Sequence, residues 1–161
     1  MMSIAKILKM LLVVFTMILT GMGTGSAVAE EIRPLQSIFS DVERHIGELT
    51  INLDDIRKRI DFLHNLPVTH DPVIQELRAL DLQGWTLHLE QWELQLEHLR
   101  FAETMLRKVQ GLPGELHELK AAWRLHEGQY RTSLEVYRRQ RDTIEERRLI
   151  TEGHMFERYL P

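Results

Sequence analysis

The sequence contains no cysteine, and this absence excludes several classes of site at once. Disulfides, thiolate-bound metal centres and cysteine nucleophiles all need that side chain. A small exported domain without disulfides must be stabilised by packing alone, either in a long regular core or against a partner. We therefore look for long apolar patterns rather than for covalent links.

Signatures of catalysis are also lacking. The chain has no Gly-x-Ser-x-Gly, no His-Glu-x-x-His and no glycine-rich phosphate-binding loop. Neighbouring carboxylates such as Asp54 with Asp55, and Glu145 with Glu146, lie on polar faces where charges are normally hydrated. We therefore expect no enzyme and no cofactor.

Proline and glycine are scarce, with five and nine residues, and their positions divide the chain. Turn-forming residues occur between Asn65 and Pro72, between Gly111 and Gly114, and at Gly153. Asp71 before Pro72 is a good N-cap followed by proline at the first helical position, and Gly111 and Gly153 stand where helices commonly end. Three helices are predicted, over about 34–65, 72–110 and 114–152.

The first two segments differ in how many apolar faces they carry. The first has one sustained 3-4 spacing of apolar residues from Ile32 to Leu63, which is a heptad pattern. The second has two seams on nearly opposite sides, so its helix is either sandwiched between neighbours or shared with another chain. The predicted interaction face on this helix consists of Leu80, Trp85, Leu87, Trp92, Leu94 and Phe101.

Together these patterns predict an all-α fold, an elongated antiparallel three-helix bundle resembling coiled-coil hairpins. Short connections require neighbouring helices to run antiparallel. The third segment has a weaker core pattern, in which His126 takes a core position, and its far end is predicted to bury little. We expect the domain to cover residues 30–153, with a C-terminal tail over 154–161 that suits docking.

The N-terminus reads as a secretory signal peptide over residues 1–29. Lys6 and Lys9 precede an apolar core, Met10–Leu19, and Ala27 and Ala29 form a small-x-small cleavage site. The prediction is therefore export to the periplasm or beyond, with cleavage after Ala29. The alternative is an uncleaved anchor, because no charge occurs between Met10 and Ala29, which is about the length that a membrane-spanning helix needs.

Charge excludes one partner class and suggests another. The net charge of −4 argues against nucleic acid, which rewards clustered positive charge. Arg138, Arg139 and Arg141 nevertheless form a basic cluster. It is either a hydrated helix end or a contact with a membrane surface or an acidic partner.

Eight histidines raise the question of metal binding. No two of them have the i, i+3 or i+4 spacing that metal sites on helices prefer. Only the turn residues His64, His70 and Asp71 remain as candidates, if the turn folds back on itself. Otherwise we expect most histidines to be hydrated surface groups, with His126 at a core edge.

These observations favour a non-enzymatic periplasmic interaction or scaffold protein of the cell envelope, which binds a protein partner or itself. A periplasmic chaperone or metal-responsive binding protein is the alternative, based on the histidines and on exposed apolar surface. A membrane-anchored helical spacer is the second alternative, if the signal is not cleaved.

Overall fold

The computed structural model describes residues 28–111 and 116–159, which are helical apart from one turn. Three helices follow one another: α1 over Val28–His64, α2 over Pro72–Gly111 and α3 over Leu116–Tyr159. No strand occurs within these ranges, so the all-α class predicted from the sequence is confirmed for them, and the three helices are consistent with a helical bundle. In the same ranges, none of the helices has a stretch long and apolar enough to cross a membrane.

The turn between α1 and α2 follows the sequence signals closely. At the end of α1, the carbonyl oxygen of Asp61 accepts from the Asn65 side chain at 2.8 Å and from the Asn65 backbone nitrogen at 3.1 Å. Asp71 Oδ1 accepts from the backbone nitrogens of Val73 at 2.8 Å and Ile74 at 3.3 Å. The predicted N-cap is therefore confirmed, with Pro72 at the first helical position.

Two predicted boundaries differ from the structure. The first helix begins at Val28 rather than near residue 34, so Ala29 lies in α1, while Ala27 and the rest of the predicted signal lie outside the described residues. Gly153 does not end the third helix, because α3 continues to Tyr159. The described part of the predicted tail is therefore helical.

The chain divides into two compact units, and every helix contributes to both. The first unit combines Leu96–Gly128 with the described residues up to Glu48. Its core takes side chains from all three helices. Beside it, Arg107 of α2 contacts two residues of α1, Glu43 at 3.4 Å and the Phe39 ring through a cation–π contact. The fully buried core consists of Ile38, Val42, Ala102, Met105, Leu106, Leu119 and Trp123.

The second unit consists of Leu49–Gln95 and the residues from Gln129 onward. Exposed ion pairs join α2 to both neighbours: Arg57 of α1 to Glu93 at 2.7 Å, and Arg147 of α3 to Glu76 at 3.4 Å. Each such pair stabilises little because both charges remain hydrated. Its buried side chains are Leu49, Leu53, Ile56, Leu80, Leu87, Tyr130 and Thr151.

Contacts in both units explain why α2 is apolar on two sides. In each unit α2 contacts both α1 and α3. Of the two predicted alternatives, this is the helix that is sandwiched between its neighbours. The heptad stripe of α1 is buried at Val42, Leu49 and Leu53, as its spacing predicts.

Candidate functional site

The predicted interaction face divides into a buried part and an accessible part. Leu80 and Leu87 are only 2% and 9% exposed, so they belong to the protein's own core. Trp85, Trp92 and Leu94 are half-buried in the second unit. The part of the face that stays accessible in the second unit therefore consists of two tryptophans and one leucine.

Three rings on α2 form what we call the aromatic ladder: Trp85, His88 and Trp92. The Trp85 and His88 rings meet edge to face with centroids 6.0 Å apart, and the His88 and Trp92 rings lie 5.2 Å apart. Their i, i+3 and i+7 spacing places them one above another along a single side of the helix. Burial lowers the pKa of His88 below its ordinary value, which favours the neutral ring.

Two open cavities adjoin the aromatic ladder. One, of about 430 Å³, lies between α1 and α2 and is lined by the whole ladder together with Asn52, Asp55, Ile56 and Arg59. The other, of about 330 Å³, lies between α2 and α3 and again includes Trp85 and His88. Its further lining residues are Leu80, Asp81, Gly84, Arg141, Ile144, Glu145 and Arg148.

The charges around these two cavities alternate in sign. Asp55 and Arg59 stand on the α1 side, and Arg141, Glu145 and Arg148 stand on the α3 side. Protein interfaces commonly have a desolvated centre rich in aromatic residues and a polar rim around it, and the rings and charges here have that composition. The arrangement suits a protein surface better than a strongly charged ligand.

Phe101, the remaining residue of the predicted face, lies in the first unit among histidines. Its ring stacks on His126 with centroids 3.9 Å apart and also lies 6.1 Å from Trp123. The His98 ring stacks on His126 in turn, at 5.0 Å and only 9° from parallel. Phe101 thus packs against rings of the protein itself, and it belongs to a different unit from Trp85 and Trp92.

His98 is a buried group that the sequence analysis did not single out. Its side chain is 1% exposed, and its Nε2 lies 3.4 Å from Glu127 Oε2. Burial lowers its pKa to about 4, although the Glu127 carboxylate opposes that shift. A signal existed, because His98 stands four residues after Leu94 and three before Phe101, which places it on the second apolar seam of α2.

The turn residues considered for a metal do not converge. His64 and His70 are exposed, and Asp71 binds the start of α2 and the Tyr159 hydroxyl, which donates to Asp71 Oδ2. Over the ranges that the structure describes, no three histidine or carboxylate side chains are grouped to hold an ion. His126 is partly buried, as expected for a core edge.

Each arginine of the basic cluster lies beside an acidic residue. Arg138 and Arg139 contact Glu135 at 3.2 and 3.5 Å, and Arg141 contacts Asp142 at 3.1 Å. Nearby carboxylates reduce the positive potential that an anionic surface would meet. This environment favours the interpretation as a hydrated helix surface.

The whole sequence has no detectable similarity to known proteins in three comparisons. No protein-family model matches it, and no match was found among curated proteins or among solved structures.

Proposed function

We propose that this chain is a non-enzymatic, exported helical protein of the cell envelope that docks a protein partner, or a second copy of itself, through the aromatic ladder. One observation carries the proposal: Trp85 and Trp92 stay half-buried beside the open cavity between α1 and α2, and Trp85 also lines the cavity between α2 and α3. Tryptophan is enriched among the few residues that dominate binding energy in interfaces. The alternating charges around it would form the polar rim.

Crosslinking from defined positions tests the docking surface. A photo-crosslinking amino acid at His88 should give a discrete adduct in intact cells. The same group at Phe62, which is 54% exposed in the same unit, serves as the matched control and should not. The change Trp92→Ala should weaken the adduct from position 88. A monomer in light scattering with equal crosslinking from both positions would exclude the proposal.

Export is the second part of the proposal, and it rests on the N-terminal pattern ending at Ala27 and Ala29. Mass spectrometry of the protein recovered from its own cells measures the mature N-terminus. A chain beginning at Glu30 in the periplasmic fraction is expected. A retained Met1 in the membrane fraction would favour the anchored spacer, and an intact chain in the cytoplasm would contradict export.

The chaperone alternative has one observation in its favour. Ile74, Met155, Phe156 and Tyr159 line an open, largely apolar cavity of about 350 Å³ in the second unit. Contiguous exposed apolar surface of this kind can hold unfolded segments. Suppression of aggregation that is lost in Phe156→Ser but kept in Trp92→Ala would favour this alternative over a docking protein.

A further inference from the structure

The first unit contains a stack of two histidine rings, of which His98 is buried and His126 partly buried, and docking through the second unit does not use it. His98 of α2 and His126 of α3 lie face to face at 5.0 Å, with Phe101 against the far side of His126. Trp123 lies 5.4 Å from the His98 ring. His98 is therefore enclosed by aromatic rings, in surroundings that solvate a positive charge poorly.

Glu127 and His126 of α3 both act on the charge of His98. Glu127 lies 3.4 Å away and favours a protonated ring, whereas His126 disfavours it when charged. On α2 itself the neighbouring Glu97 and Arg100 are exposed, with opposite signs. The buried titratable group of α1 in this unit is His45, whose Nδ1 lies 2.8 Å from the carbonyl oxygen of Asp41. The partly exposed Glu127 carboxylate thus opposes the effect of burial on the pKa of His98.

We propose that the His98–His126 stack is an acid-sensitive latch, so that protonation of His98 opens the first unit and exposes Phe101 and Trp123. Both rings pack on the core cluster of that unit, which means that separating α2 from α3 uncovers apolar surface. The latch lies in the first unit, whereas the aromatic ladder belongs to the second.

The direction of the pH effect follows from burial. The pKa of His98 is lowered from 6.5 to about 4 in the folded protein, so the unfolded chain binds the proton more readily. A lowered histidine pKa gives stability that is complete above about 6.5 and lost as the pH falls from there towards about 4. At about pH 5, this one group should reduce the folded-to-unfolded ratio about thirtyfold relative to about pH 7.5.

Chemical unfolding at two pH values tests the latch. Urea unfolding of the full chain would be followed by circular dichroism at about pH 7.5 and about pH 5, in the wild type, His98→Gln and His117→Gln. His117 is exposed on α3 in the same unit, so it is the matched control. We expect the drop in the folded-to-unfolded ratio from about pH 7.5 to about pH 5 to be about thirtyfold smaller in His98→Gln than in the wild type, and unchanged in His117→Gln. Equal sensitivity in all three proteins would overturn the proposal.

Two measurements on the wild type remain decisive if His98→Gln does not fold. Hydrogen exchange at about pH 5 should show protection lost first in residues 96–108 and 117–128, with residues 72–95 retained. Nuclear magnetic resonance should show the His98 ring titrating well below 6.5. A His98 ring that titrates near 6.5, or protection lost first in the second unit, would contradict the latch.

Discussion

At the scale of single residues, Asp71 links the start of α2 to the end of α3 in the second unit. It caps α2 through the backbone nitrogens of Val73 and Ile74 and accepts the hydroxyl of Tyr159, with Arg158 3.8 Å away. The Tyr159 hydrogen bond is the largest influence that lowers the pKa of Asp71, and the same bond raises the pKa of Tyr159. The last described turn of α3 is thereby tied to the first turn of α2.

Removal of this hydroxyl should be visible at Asp71. In Tyr159→Phe we expect the pKa of Asp71 to rise towards its ordinary value of 3.8, because the strongest donor to the carboxylate is gone. Carboxyl resonances followed through an acid titration would measure the shift. Tyr137→Phe, elsewhere on α3, is the control and should leave Asp71 unchanged. A lowered Asp71 pKa that persists in Tyr159→Phe would argue against the bond.

The sign of the Asp71 effect is opposite to that of His98. A lowered carboxyl pKa gives stability that is present above the ordinary value and lost as the pH falls through the folded one. The pKa of Asp71 is lowered from 3.8, so its contribution is lost at lower pH than that of His98, whose pKa is lowered from 6.5 to about 4. A protein entering mild acid would lose the contribution of His98 first.

The roles of some residues could be predicted from their neighbours in the sequence, and the roles of others could not. The cap at Asp71 could be predicted because an N-cap depends on neighbours within one turn of chain. The accessibility of Trp85 and Trp92 could be predicted only as a choice between core and interface. The place of His98 on the second apolar seam of α2 was a signal for its burial, but its ring contacts could not be predicted, because they depend on the positions of Trp123 and His126 on another helix.

At the scale of elements, Gly153 shows where a local signal is overridden. Glycine costs about 1 kcal/mol in a helix interior, so it commonly marks a helix end. In α3, Met155 and Tyr159 beyond it line an open cavity together with Ile74 of α2, and the Tyr159 hydroxyl donates a hydrogen bond to Asp71. These tertiary contacts hold the last turns in place although the local sequence favours an end.

The substitution Gly153→Ala distinguishes the two interpretations of this position. A Cβ atom added at Gly153 meets nothing within 4 Å, so alanine should stabilise the helix by about 0.5–1 kcal/mol. Thermal unfolding would measure the gain. Gly128→Ala is a matched comparison, because that helical position is equally open and should gain a similar amount. Destabilisation at Gly153 alone would indicate a helix that ends there.

At the scale of the whole molecule, apolar periodicity predicted three helices but not their division into two units. The boundaries fall inside helices, after Glu48, Gln95 and Gly128, where no proline or loop marks them. A heptad pattern reports which side of a helix is buried, and it passes unchanged from one unit to the next. How side chains cluster along that buried side depends on the partners, which a single helix does not encode.

The placement of the tryptophans gives each unit its own optical label. The chain has three: Trp123 is 4% exposed in the first unit, and Trp85 and Trp92 are half-buried in the second. We expect the emission of Trp85→Phe/Trp92→Phe, which retains Trp123, to be blue-shifted and to resist quenching by acrylamide. Trp123→Phe should emit further to the red and be quenched readily, and equal quenching of both proteins would contradict this placement. Fluorescence alone would then show which unit responds to acid and which to a partner.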